Sequence, residues 1–240
     1  MLPVGPTLTK FPSGKPPVHG SLKGRYVTLE LVDPKRHGHR LYEQSHVDEA
    51  TKQLWTYMPY GPWDDEAGFM TWLASQAPLT EPQFYTVIDA ATGDPKGMVS
   101  FLNIRPSQGV IEVGHIWYVP TAQRTRIPVE AMYLMFRHVF DELGYRRLEW
   151  KCDALNAPSR SAAFRFGFRF EGIFRQHIIY KNRNRDTAWY AIMDHEWPAI
   201  RANFERWLEP SNFDAAGKQK RSLGNANRAL KGEGAARQKA

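Results

Sequence analysis

Residues 109–167 constrain the fold of this chain more than any other stretch. Val110 to Val119 reads as a strand, and Thr121 to Pro128 follows as a polar loop. Val129 to Leu143 is amphipathic: Met132, Met135, Phe136, Val139, Phe140 and Leu143 share one helical face, and Gly144 stops the helix. Arg146 to Cys152 is a second strand. Asn156 then caps a short helix, Pro158 to Phe166, which Gly167 closes. A strand–loop–helix–strand–helix order of this kind needs a sheet with helices laid against it.

The flanking sequence supplies the rest of that sheet. Arg25 to Val32 is a first strand, and Asp33-Pro34 starts a helix with Asp33 as its cap. A second helix begins at Asp48 and reaches Trp55. Met58 to Trp63 is a loop by its proline and glycine content, and a helix with Phe69, Met70, Trp72 and Leu73 as its buried stripe follows Asp64. Gln83–Ala90 and Gly97–Ile104 form a hairpin. Phe168–Tyr180 and Asp186–Met193 form another across the polar turn 181–185, and a last helix runs from about His195 to Leu208. The sum is an α/β chain (α+β in arrangement): a mixed sheet with helices on both faces, in one domain over residues 21–209.

Composition narrows the function classes through where the charge sits. The net charge of +7 suggests nucleic acid until it is located. The proline-rich arm, residues 1–20, holds Lys10 and Lys15 and no acid, and residues 214–240 hold seven bases against Asp214 and Glu233, so residues 21–213 sum to zero. The C-terminal segment, residues 210–240, is basic and poor in large apolar side chains, and disorder is its expected state. Such a tail is the one place where RNA contact is expected. No apolar run approaches the ~18 residues that span a bilayer, and the arm has no apolar leader core, so neither a membrane span nor a secretory signal is expected. The single cysteine, Cys152, fits a reducing, cytoplasmic location.

The motif order resembles the GNAT superfamily of N-acetyltransferases. The strand Gly24-Arg-Tyr-Val-Thr-Leu29 is similar to the opening strand of the branch that includes ribosomal-protein alanine N-acetyltransferases. The resemblance covers about residues 22–200. It implies a mixed, mostly antiparallel sheet, acetyl-CoA as co-substrate, no metal, and direct attack by a primary amine without an acetyl-enzyme. The acceptor stays open among a protein N-terminus, an amino acid and a small amine.

It also implies roles for residues. The family's cofactor loop has a Gln or Arg followed by two glycine-type positions; this chain keeps Gln123 and Arg124 but has Arg126 and Pro128 where the glycines belong. Arg124, Thr125, Arg126, Ile127, Pro128 and Val129 would hold the pyrophosphate at a helix N-terminus, with Arg126 pairing a phosphate. The plainer reading of the loop is a solvated basic turn. Backbone groups of Trp117, Tyr118 and Val119 would pair with the pantetheine as a pseudo-strand. Asn156 would hold the same arm, Ser159 would protonate the departing thiolate, and Phe164 and Arg165 would line the cofactor tail. Asn156 and Ser159 also read as an ordinary helix cap.

A base must take the ammonium proton, and Glu112 is the choice over His115. The two have opposite parity on an ideal strand and share a face only if a bulge intervenes. Tyr57, Tyr60 and Trp63 are expected at the acceptor pocket, with core packing as their alternative. Cys152 in an apolar strand reads as an inert buried thiol. Two other functions remain open: a CoA-binding protein without catalysis on the same fold, motivated by the altered loop, and an RNA-associated protein acting through its tail. An exposed edge strand would permit a homodimer.

Overall fold

A computed structural model describes residues 2–9, 14–17 and 20–237, with side chains described as far as residue 230. Parts of the proline-rich arm and the end of the basic tail, Lys10 and Lys239 among them, lie outside the described residues. Among the described residues, eight strands form one sheet. In chain order they are β1 (Leu22–Lys23), β2 (Val27–Leu31), β3 (Gln83–Asp89), β4 (Pro95–Arg105), β5 (Val110–Tyr118), β6 (Arg147–Asp153), β7 (Arg169–Tyr180) and β8 (Arg183–Met193). Their spatial order is β1-β2-β3-β4-β5-β6-β8-β7, and every neighbouring pair is antiparallel except β5 with β6. The expected mixed, mostly antiparallel sheet is therefore present.

The helices divide between the faces. α1 (Pro34–Ser45), α2 (Glu49–Lys52) and α3 (Glu66–Gln76) cover one side, where Leu41, Trp55, Phe69 and Leu73 pack on Phe84, Met98 and Trp117. α4 (Ile127–Arg137), α5 (Ala157–Arg165) and α6 (Trp197–Leu208) cover the other, with Met132, Met135, Phe136, Ile200 and Phe204 over Ile111, Val113, Leu148 and Trp150. Local chemistry fixes the starts: Asp33 accepts from the Lys35 and Arg36 amides, and Asn156 from the Ser159 amide. The predicted helix 129–143 is α helix only to Arg137 and continues as a π-type turn over His138–Glu142. The polar turn 181–185 is shorter than predicted: Lys181 and Asn182, both left-handed, close the hairpin alone.

Glu130 ties the turn between β1 and β2 to α4. Its carboxylate accepts from the amides of Arg25 and Val27 at 2.9 and 2.8 Å, and also from Tyr26. A Cβ at Gly24 would lie 2.5 Å from that carboxylate, so the turn into the strand has no room for a side chain.

The C-terminal segment departs from the disorder its composition predicts. Residues 210–230 fold back on the domain, and α7 (Leu223–Arg237) packs against α5 and α6. The contacts are mostly amide hydrogen bonds with few apolar anchors. Asn227 donates to the Arg165 carbonyl and accepts from Asn203, both at 2.9 Å, and Trp207 donates to Gln219 at 2.7 Å. Phe213 and Leu223 are the buried anchors. No helix among the described residues is long and apolar enough to cross a membrane.

Candidate active site

β5 and β6 pair only at Val110↔Arg147, Ile111↔Leu148 and Glu112↔Glu149. Beyond Glu112 both strands continue without pairing each other, and a cavity of about 430 Å³ occupies the gap. Each strand is held by its outer neighbour, β4 and β8 respectively. The gap therefore opens through the sheet and joins its two faces.

The strand periodicity sorts the lining residues. Leu148, Trp150 and Cys152 point toward α5, while Glu149 and Lys151 point to the opposite face. On the α5 side, Trp150 Nε1 donates to Ser159 Oγ at 3.1 Å. That bond fills an acceptor site of the hydroxyl and leaves its proton to be donated elsewhere. Cys152 lies beside it, and burial, outweighing the Ser159 hydrogen bond, pushes its thiol up, so it stays protonated.

On the other face, Glu112 Oε2 accepts from Lys151 Nζ at 2.7 Å and from Asn103 Nδ2 at 2.6 Å. Lys151 also reaches Glu149 at 2.8 Å, and its ammonium lies over the Trp189 ring. A bulge in β5 then changes the parity: Ser100 faces Gly114 while Met98 faces Trp117, and His115 takes a φ of 51°. Both Glu112 and His115 consequently line the cavity. His115 Nδ1 is 3.1 Å from the Tyr60 hydroxyl, and the imidazole stacks on Tyr60. Burial, with the charge of Arg185 added, pushes the imidazole down to about 4, so it is neutral at pH 7.

The expected site residues divide into those at the gap and those away from it. Tyr57 lines it, Tyr60 stands behind His115, and Asn156, Ser159 and Pro128 line it with Arg124 and Arg165. Trp63 is a correction: partly buried, it packs at 5.0 Å centroid distance on both Trp55 and Phe69 against the core and does not line the gap. Arg126 is another. Its guanidinium lies 3.9 Å over the Phe213 ring and 5.1 Å from that of Tyr26, outside the gap. Val129 is buried in the core, and the Thr125 hydroxyl donates to the Ala122 carbonyl. Neither these two side chains nor that of Ile127 lines the gap, so only their backbone is placed to contribute.

The pseudo-strand expectation narrows in the same way. The Val119 amide already donates to the Lys96 carbonyl of β4. Peptide groups two residues apart face the same edge, so Trp117 also faces β4 and Tyr118 faces the gap. The Tyr118 carbonyl accepts from the Gln123 side chain, Nε2, at 3.1 Å, and the buried Tyr118 hydroxyl has no partner among the described residues. Phe164 stands at a separate, larger cleft beside α5, which Arg124 and Arg165 also line.

Sequence reasoning missed Lys151, Asn103 and Arg185. Lys151 had a signal, a lysine between Trp150 and Cys152 in a strand. Arg185 was hidden by its assignment to the turn; it lies in β8, lines the gap, and its Nε is buried without a partner among the described residues. No group of three or more His, Cys, Asp or Glu among the described residues could hold a metal ion.

Comparison with known proteins bears on the family and the fold. The model of the acetyltransferase (GNAT) domain matches residues 32–169. A GCN5-related N-acetyltransferase from Brucella melitensis superposes with a TM-score of 0.89 at 43% identity, over 92% of this chain and 100% of that one. The uncharacterized N-acetyltransferase YnaD of Bacillus subtilis (strain 168) is 30% identical over 86 residues; the match takes in 36% of this chain and half of that relative's length. The structure named RimL, a ribosomal L7/L12 alpha-N-protein acetyltransferase, is 17% identical with a TM-score of 0.62 over 72% of this chain and 94% of that one, which shows a shared fold and nothing about acceptors.

Proposed function

Because the chain belongs to the GNAT acetyltransferase family, we propose that it moves an acetyl group from acetyl-CoA to a primary amine by direct attack in the gap between β5 and β6. The observation that carries this reading is the opening of the sheet after Glu112↔Glu149, with Glu112 on one face and Ser159 on the other. A thioester threaded from the α5 side meets an amine arriving from the Glu112 side. Proximity then supplies most of the rate.

Glu112 takes the amine proton. Its Oε2 is engaged by Lys151 and Asn103, so Oε1 is the oxygen assigned to the proton, directly or through a water. The nitrogen–carbon bond forms, the carbon–sulfur bond breaks, and Ser159 passes its proton to the departing thiolate and regains one from solvent water, while Glu112 releases the amine proton to solvent. His115, neutral and held by Tyr60, orients the acceptor without adding a charge. The protonated Cys152 gives no thiolate for an acetyl-enzyme. Tyr118 and Asn156 steady the pantetheine, and Tyr57 walls the acceptor end. The reading extends to a homodimer, because β7 is an edge strand that exposes Ile173, Phe174 and Ile179, and to a cytoplasmic location, which rests on the lone cysteine.

One observation favours a second reading. The loop lacks its glycines and Arg126 is diverted onto Phe213, which fits a CoA-binding protein without turnover. Thiol release from acetyl-CoA, followed over peptide N-termini, amino acids and small amines, separates the two. Acceptor-dependent release supports the transferase. Saturable acetyl-CoA binding with no release over the whole panel supports the sensor, and no binding overturns both.

A further inference from the structure

Beside α5 lies a cleft of about 1090 Å³ whose charge is of one sign. Arg124, Arg160, Arg165, Lys218 and Arg228 line it, and no carboxylate does among the described residues. None of the five forms an ion pair among the described residues, whereas Arg147 and Lys151 at the Glu112 side of the gap both do. Arg160 is held by neutral groups only, the Tyr190 hydroxyl and the Ala154 carbonyl, both at 3.1 Å. Like charges gathered without counter-charges repel one another, so such a cluster attracts an anionic ligand.

The far wall is the folded C-terminal segment. It brings Lys218 and Arg228 opposite Arg160 and Arg165, and it lies outside the residues matched by the family model. The Asn227 bond to the Arg165 carbonyl fixes α7 against α5, so the spacing of the two walls is set by the fold. Arg124 and Arg165 line both this cleft and the gap between β5 and β6, so the two spaces adjoin. Phe164, 42% exposed in the cleft, presents a ring on which a purine can stack.

We propose that residues 213–228 form a nucleotide-binding wall, in which Lys218 and Arg228 hold the 3′-phosphate of coenzyme A while Arg160 and Arg165 face its diphosphate. The proposal rests on the coenzyme A reading and adds a chain-specific source of affinity. A 3′-phosphomonoester carries about two negative charges near pH 7, and it is the one group that coenzyme A has and 3′-dephospho-coenzyme A lacks. It also offers a reason why the loop tolerates Arg126 and Pro128 in place of glycines: anchoring has moved from backbone amides to side-chain cations, and Arg126 braces Phe213 of the new wall.

The test is calorimetric titration of the full chain with coenzyme A and with 3′-dephospho-coenzyme A. It is repeated on the Lys218→Ala/Arg228→Ala double variant, whose two side chains are exposed and removable without opening the core. The wild type should bind coenzyme A about tenfold or more tighter than the dephospho form. The double variant should lose most of that ratio, with dephospho-coenzyme A affinity changed by less than about twofold. Equal binding of the two ligands by the wild type, or a variant that keeps the ratio, overturns the wall while leaving the coenzyme A reading intact. Failure of both ligands to bind the wild type overturns the wall and the coenzyme A reading together.

Discussion

The two ends of the gap between β5 and β6 treat charge in opposite ways. At the acceptor end, Glu112, Lys151 and Glu149 form a buried chain, extended by Arg147 at 2.8 Å from Glu149, and its opposite charges meet at hydrogen-bond distance. At the α5 end, cations line a cleft with no acid among the described residues. Balanced charge in a buried place holds a fixed geometry and can hand on a proton. Unbalanced charge in an open cleft awaits a ligand that carries the missing sign. The contrast fits the proposal that chemistry takes place at one end and anchoring at the other.

Removing Lys151 should break the balanced end most severely. Lys151→Ala leaves Glu112 and Glu149 buried without their shared cation, and a loss of about 3–5 kcal/mol in unfolding free energy is expected. Burial alone would raise the Glu149 carboxyl, but its hydrogen bonds and charge contacts with Lys151 and Arg147 outweigh that and hold it below its ordinary value. A carboxyl depressed in the folded state stabilises above its unfolded pKa and loses that stabilisation as pH falls through the folded value. The variant should therefore lose its stability at a higher pH than wild type in an acid denaturation series. A variant within about 0.5 kcal/mol of wild type would mean that the chain of charges is structurally idle.

Much of this site was legible because it depends on local rules. The cap at Asn156, the stop at Gly144, the strand 110–118 and the amphipathic α4 all follow from residue type and spacing. The parity argument for Glu112 and His115 named the condition, a bulge, that the register then supplies. What stayed hidden was non-local. Trp63 and Arg126 carry the same chemistry wherever they point, and only the packing lays one against Trp55 and Phe69 and the other onto Phe213. The C-terminal segment was misread because composition scores apolar burial, whereas α7 is held by Asn203, Asn227 and the Arg165 carbonyl. Amide networks of that kind have no periodic signature.

Ser159→Ala sharpens the comparison across the gap. Loss of a general acid should lower kcat by about 10²-fold, with acetyl-CoA affinity nearly unchanged, in single-turnover and binding measurements. An unchanged kcat would remove Ser159 from proton delivery and leave it as part of the cap. His115 should show a smaller effect, in pH dependence. An imidazole moved from 6.5 to about 4 on folding is bound to a proton more readily in the unfolded chain, so folding stability falls as pH drops below the ordinary histidine value. Between about pH 7 and about pH 5 the contribution lost is about 2 kcal/mol. His115→Asn, which tolerates the left-handed backbone there, should flatten that part of the stability profile in urea denaturation. A variant with the wild-type slope would place the pH sensitivity elsewhere.

The smallest effect separates capping from ligand contact at Asn156. Its Oδ1 accepts from the Ser159 amide at 3.1 Å, so Asn156→Ala should cost about 1 kcal/mol of stability whatever the ligand does. Asn156→Asp keeps an acceptor oxygen for that amide and suits a helix N-terminus, so it should stay within a few tenths of a kcal/mol of wild type. It lacks the side-chain N–H through which Asn156 could donate to the pantetheine. If both variants weaken acetyl-CoA binding by about fivefold or more, the donor holds the ligand and the cap is incidental to affinity. If only the alanine variant weakens it, Asn156 acts on the cofactor solely by fixing the first turn of α5 and, through it, Ser159.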